Sequence, residues 1–172
     1  ESFPEYLDAL EKKPLAIDVG TQIPHGAVRA YVMGERGINH EEASEDEINK
    51  MKEIVREAVE AGAYGFSTSR TEKHNDVNGK LTPSITAHKT ELVEIAKSLG
   101  EIDKGVLQGI SDFYDFESEF DIFKSMSKES GRPISITVEQ QDARPDWWIQ
   151  LLDGIEDAQS EGIQMFGQVP PR

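Results

Sequence analysis

His25 and Arg29 lie four positions apart in Pro24-His25-Gly26-Ala27-Val28-Arg29. A histidine and an arginine that converge on a pocket could polarise a carbonyl and clamp a carboxylate. The same pair also has a plain structural use, His25 bonding a neighbouring loop and Arg29 pairing with one of the chain's many carboxylates. Farther on, Ser67-Thr68-Ser69-Arg70-Thr71 offers hydroxyls and a guanidinium, which serve either to orient a substrate or to cap the next element. A nucleophilic serine normally occupies a strained G-x-S-x-G turn. Gly65-Phe66-Ser67-Thr68-Ser69 lacks the second glycine, which argues against a serine hydrolase. The histidines His25, His40, His74 and His88 show no H-x-H or H-x-x-x-H spacing, and Asp112 and Glu139 stand alone. No self-contained metal centre is expected from them, and His74 and His88 are expected to face solvent. Trp147 and Trp148 read as a packing wedge, one indole buried and the other half exposed.

These residues need a scaffold, and its elements are legible from periodicity. Ser2 caps a helix Phe3–Glu11 whose apolar face is Tyr6, Leu7 and Leu10, and Pro14 stops it. Leu15 to Val19 reads as a strand ended by Gly20, followed by a segment from Thr21 to Ala43 that is mostly loop. Ser44 and Glu47 make a capping box for a helix with Ile48, Met51, Ile54, Val55 and Val59 at helical spacing. A strand Ala63–Ser67 then opens onto a polar loop from Thr68 to Thr86. Helix Ala87–Leu99, with Gly100 as its stop, precedes strand Val106–Ile110, helix Phe116–Ser130 and strand Ile134–Val138. Helix Pro145–Glu161 and strand Ile163–Gly167 complete the count. The acidic runs Glu41–Glu47 and Asp115–Asp121 complement helix dipoles.

Five short apolar strands alternating with helices predict an α/β fold with a parallel sheet buried on both faces. The pattern fits a doubly wound open sheet or part of a TIM-type (β/α)8 barrel, and Gly20-Thr21-Gln22-Ile23-Pro24 is not a phosphate-binding loop. In either fold the functional residues belong just after the strands, in the loops beginning at Gly20, Ser67, Ser111, Glu139 and Gln168. Residues 1–172 read as a single domain.

The 172 residues carry a formal net charge of −15. That charge works against nucleic acid and anionic membranes, which reward Lys/Arg patches. With no cysteine, disulfides, thiolate metal sites and a cysteine nucleophile are excluded. The expectation is a cytoplasmic protein that does not enter a membrane. The missing initial Met suggests a start inside a longer reading frame.

Six motifs in order give the chain a family likeness. They are Phe-Pro-Glu-Tyr-Leu-Asp-Ala-Leu-Glu, His25-Gly-Ala-Val-Arg29, Tyr-Val-Met-Gly-Glu-Arg, Ala-Gly-Ala-Tyr-Gly-Phe-Ser-Thr-Ser-Arg, Gly-Arg-Pro-Ile-Ser and Gly-Gln-Val-Pro-Pro-Arg. Together they resemble the central part of the N-acyl-D-amino-acid deacylase group of the amidohydrolase superfamily (amidohydrolase family 3). The resemblance implies a metal-bearing (β/α)8 barrel that hydrolyses non-peptide C–N bonds, with one or two zinc ions activating water. It places the H-x-H and cysteine ligands upstream of Glu1 and the catalytic aspartate beyond Arg172. Two later strands of the family end in metal-binding histidines. The matching stretches here, Val106–Ser111 and Ile134–Glu139, contain none. Either Gln108, Asp112 or Glu139 substitutes, or the parent belongs to a divergent branch.

The chain is therefore expected to be about four βα units plus a closing strand of a longer hydrolase. It is expected to hold no metal itself and to be silent alone, with zinc in the full-length parent. His25, Arg29, Ser67, Arg70 and Gln168 would face the barrel mouth and bind an N-acyl amino acid-like substrate or shape its pocket. The expected partner is the remainder of the barrel or a second copy, since a partial barrel leaves two strand edges to be satisfied. The alternative is a stand-alone α/β module that binds a small ligand without catalysis.

Overall fold

The computed structural model describes residues 2–170. Helix α1 (Phe3–Glu11) carries the capping box of Ser2 and Glu5. Strand β1 is only Ile23–Pro24, and helix α2 (His25–Met33) follows it directly, then a single helical turn α3 (Glu35–Ile38). The remaining elements are α4 (Glu45–Glu60), β2 (Gly65–Arg70), α5 (Lys89–Glu101), β3 (Val106–Ser111), α6 (Phe116–Ser130), β4 (Ile134–Thr137), α7 (Trp147–Ser160) and β5 (Met165–Gln168). All strand pairs are parallel, in the order β1-β2-β3-β4-β5. This is an α/β fold whose sequential, all-parallel strand order is that of a TIM-type barrel sheet. Among the described residues no helix is long and apolar enough to cross a membrane.

The first strand is not where the apolar run predicts it. Residues 11–20 are all exposed, Ile17 at 75 %, and no strand forms among them. Ile23 is buried and pairs with Phe66 instead. The segment expected to be loop contains α2, because Pro24 stands at its N-cap, where a missing N–H costs no helical hydrogen bond. Gly100 is not a helix stop either: α5 continues through it to Glu101. A Cβ there would lie 2.2 Å from the Ser130 carbonyl oxygen, so glycine permits the close approach of α5 and α6. The true stops are Gly131, left-handed at φ 66° after α6, and the turn of Asp103 and Gly105 after α5. The last two residues of the Gly-Gln-Val-Pro-Pro-Arg motif lie outside the described residues.

The sheet has two unlike faces. Phe66, Leu107, Ile134, Ile136 and Met165 are fully buried, in one cluster with Met51 and Val55 of α4, Leu92, Ile95 and Leu99 of α5, Phe123 and Met126 of α6 and Leu151 of α7. Burial of such side chains contributes roughly 1.5–3 kcal/mol each and is the main force holding the layers together. The alternate positions Ser67, Ser69, Gln108, Ile110, Ser135 and Thr137 are half-buried, and Phe166 and Gln168 are exposed. Period-two geometry puts them on the opposite, concave face. The expectation of strands apolar on both faces is thus corrected: the concave side carries hydroxyls and amides, with Ile110 and Phe166 among them. Trp147 is buried with its ring centroid 5.4 Å from that of Phe113, and Trp148 is half-buried.

Gly65 marks a tight point between β2 and β3. Its φ is 153°, and a Cβ would fall 1.8 Å from the Val106 carbonyl oxygen. Gly65→Ala is expected to cost more than about 2 kcal/mol, because backbone must move. Gly131→Ala, at positive φ but with nothing within 4 Å, is expected to cost about 1 kcal/mol. Urea denaturation of both variants tests the ranking, and a larger loss at Gly131 would contradict the close-approach argument.

Candidate functional site

Parallel pairing points the C-terminal ends of all five strands the same way, and the loops leaving them share one end of the sheet. A cavity of 1050 Å³ opens there, lined by Pro24 and His25 after β1, Ser67 to Ser69 on β2, and Lys73, His74 and Lys80 from the following loop. Gln108 and Ile110 of β3 and Thr137 and Glu139 at the end of β4 line it too, with Ala27, Ala30, Ile38, Asp76 and Leu81.

One wall rests on a buried charge cluster. The Glu91 carboxylate on α5 accepts from His25 Nε2 at 2.7 Å and from Arg29 Nε at 2.8 Å, and all three residues are at most 1 % exposed. Arg29 also donates to the carbonyls of Pro83 (2.8 Å) and Glu41 (2.6 Å). The planar guanidinium thus binds three segments at once. Burial lowers the pKa of His25, against the pull of Glu91. A neutral ring follows, with Nε2–H donating to Glu91 and Nδ1 accepting from the Thr68 hydroxyl at 2.9 Å. Burial pushes the Glu91 carboxyl upward, but the hydrogen bonds from His25 and Arg29 and the charge of Arg29 outweigh it and leave it below its ordinary range.

Three further links fix the strand ends. Arg70 grips Glu119 with two nitrogens, at 2.6 and 2.8 Å, and donates to the Ala87 carbonyl, while Ser111 donates to the same carboxylate at 2.9 Å. Asp112 accepts from Thr71 Oγ1 (2.7 Å) and Glu72 N (2.8 Å). Arg144 donates to the carbonyls of Asp112 and Phe113, tying the loop after β4 to the one after β3. On the cavity side, Lys73 pairs with Glu139 across the mouth and Ser69 Oγ meets His74 Nδ1 at 2.8 Å. Gln108 Nε2 donates to Gln168 Oε1 at 2.8 Å, and Ser135 Oγ donates to the same oxygen at 3.3 Å.

Of the residues singled out from sequence, Ser67 lines the cavity and Gln168 lies on the same concave face, bonded to Gln108. His25 also borders the cavity but is fully buried. The guanidinium groups of Arg29 and Arg70 are taken up by carboxylates and backbone carbonyls in the wall. The structure does not bring these five side chains to one point. Glu91 was not singled out, because the third residue of a helix reads as an ordinary acidic first-turn position. Ser69 was recoverable as Ser67 plus two on one strand face. Contacts such as Lys73 with Glu139 leave no local signal.

No three His, Cys, Asp or Glu side chains among the described residues form a group able to hold an ion. The strand-end carboxylates Asp112 and Glu139 are already bonded by Thr71, Glu72 and Lys73.

Comparison with known proteins bears on this geometry. The sequence profile of the amidohydrolase family matches residues 1–171. A D-aminoacylase from Alcaligenes xylosoxydans xylosoxydans is 30 % identical over 99 residues, covering 58 % of this chain and 18 % of that protein. A solved D-aminoacylase with a binuclear metal centre superposes with a TM-score of 0.81 at 22 % identity. The N-acyl-D-glutamate deacylase of Bordetella bronchiseptica, complexed with zinc and a phosphonate inhibitor, gives 0.79 at 19 %. Both comparisons cover 99 % of this chain and 34 % of the other, so the chain spans about a third of those structures.

Removing the buried carboxylate tests the wall. Glu91→Gln leaves the Arg29 guanidinium without its counter-charge and is expected to cost about 3–5 kcal/mol in a denaturant titration. The cluster also sets a pH dependence. Folded His25 and Glu91 both lie below their ordinary values of 6.5 and 4.5, so the unfolded chain binds more protons as pH falls. The stability His25 contributes is full above pH 6.5 and lost below it, and that of Glu91 is lost below pH 4.5. The urea midpoint should fall between pH 7 and pH 5, and His25→Gln should flatten that fall.

Proposed function

The chain belongs to the amidohydrolase family, and we propose from this that its whole protein is a metal-dependent, D-aminoacylase-like hydrolase of N-acyl amino acids. The observation that carries the reading is the 1050 Å³ cavity at the C-terminal ends of the parallel strands, a mainly apolar pocket into which Ser67, Ser69, Gln108 and Thr137 bring a few hydrogen-bonding groups. Barrel enzymes of this type do their chemistry at that end. Ser67 and Gln168 touch substrate in this reading, while His25, Arg29 and Arg70 hold the wall in shape. Zinc, as bound by the Bordetella deacylase, belongs to the whole protein, with ligands beyond those described.

The 172-residue chain supplies floor and wall and is silent alone. The test is amine release from N-acetyl-D-amino acids. The whole protein is expected to turn them over and to lose activity on chelation, and the chain is expected to show no turnover with or without added zinc. Zinc-dependent turnover by the chain would overturn its silence, and metal-independent turnover by the whole protein would overturn the reaction class.

A second reading is favoured by the edges. Among the described residues the sheet ends at β1 on one side and β5 on the other. Unpaired strand edges template further pairing, which in the whole protein the rest of the barrel satisfies and in the chain a second copy would. Light scattering separates the outcomes: a concentration-dependent dimer supports edge pairing, and a monomer at all concentrations refutes it.

A further inference from the structure

Gln108 and Gln168 sit on different strands, β3 and β5, yet their amides meet at 2.8 Å across the floor of the concave face. Ser135, on the strand between them, adds a bond to the Gln168 oxygen at 3.3 Å. A primary amide carries two donor hydrogens and one acceptor oxygen. The mutual bond uses one donor of Gln108 and the oxygen of Gln168. What remains is the Gln108 oxygen as an acceptor, with the second Gln108 N–H and the Gln168 NH2 as donors. Exchanging O and N in both amides gives the same surplus with the residues swapped, because Ser135 both donates and accepts.

Branched apolar side chains normally fill this position in a barrel. Here the strands place Ser67, Gln108 and Ser135 in one paired row that ends on Phe166 of β5, with Gln168 reached from the next. The row is uncharged. Of the ionic groups lining the cavity, Lys73 and Glu139 neutralise each other, and Asp76 and Lys80 bring one charge of each sign from the loop after β2. A neutral acceptor beside a neutral donor suits a ligand edge of matching kind. In an N-acyl amino acid the amide N–H and a carboxylate oxygen share one edge.

We infer that the Gln108–Gln168 pair is a specificity determinant that reads the N–H of the substrate's amide, accepting it on one glutamine oxygen while the other glutamine's NH2 donates to the neighbouring substrate oxygen. The inference rests on the proposed function, since it takes the cavity as the substrate site. It selects amides over esters of the same shape, because an ester oxygen in place of N–H leaves the glutamine oxygen facing another lone pair.

The test is an NMR titration of the full 172-residue chain with N-acetyl-D-alanine and its ester isostere O-acetyl-D-lactate, following the glutamine side-chain NH2 signals. The amide is expected to bind about tenfold tighter than the ester, the value of one neutral hydrogen bond, and to shift both NH2 signals. In Gln108→Met and Gln168→Met the preference should fall to about one. Gln168→Glu, which keeps an oxygen but loses the NH2, should weaken both ligands. These positions are half-buried and exposed, and backbone amide dispersion confirms that the variants fold. Equal affinity for both ligands in the unaltered chain, or a preference that survives both Met variants, overturns the inference and leaves the cavity as a substrate site. No shift with either ligand overturns the cavity reading and the inference with it.

Discussion

A single buried carboxylate sets the geometry of the strand-end face. Glu91 is charged, enclosed by protein and held by two partners from α2. An isolated carboxylate in that position would neutralise itself or unfold its surroundings. Its stability as an anion requires that Arg29 stay put, and Arg29 in turn holds the backbone at Glu41 and Pro83. The stretch before α4, the loop before α5 and the first turn of α2 are therefore one mechanical unit. The imidazole of His25 extends that unit to Thr68 on β2. A two-residue first strand suffices because side chains, in place of a long ladder, anchor α2 to the sheet.

The rest of the face is built by the same device at lower cost. Arg70 with Glu119, Asp112 with Thr71 and Glu72, and Arg144 with the carbonyls after β3 each tie one strand end to a neighbour. None of Arg70, Glu119, Asp112 and Arg144 lines the cavity. Buried and half-buried charges at the strand ends thus hold the loops, and the concave floor is left to uncharged side chains, hydroxyls and amides beside Ile110 and Phe166. This division explains why the arginines that sequence suggests as substrate clamps are found already engaged. In so acidic a chain a strand-end guanidinium meets a carboxylate of its own protein first.

How much of this was legible from sequence depended on whether the signal is local. The caps of α1 and α4 are written within four residues, and the structure has both. Helix Phe3–Glu11 and helix Phe116–Ser130 have the expected bounds. The Leu15-Ala16-Ile17-Asp18-Val19 run failed as a strand because apolar content is not strand pairing. The backbone partner is found eight residues later, where Ile23 meets Phe66. Gly100 misled for a related reason, since its contact, Ser130, is thirty positions away and leaves no mark nearby. At the site, strand periodicity reached Ser67, and the terminal strand reached Gln168. Glu91 and the Lys73–Glu139 pair exist only once β2, β4 and α5 are assembled.

The alternation along β2, β3 and β4 has an evolutionary consequence. Phe66, Leu107, Ile134 and Ile136 belong to the hydrophobic layer that holds the helices, and the residues between them face the concave side. The two sets are interleaved in sequence but separate in space, so a change at Ser67, Gln108 or Ser135 alters what the floor can bind without disturbing Phe66, Leu107 or Ile134 behind it. Such a sheet can drift in specificity through single substitutions while its folding stays constrained. A lineage built on it can keep its barrel and exchange even the polar residues of its strand ends.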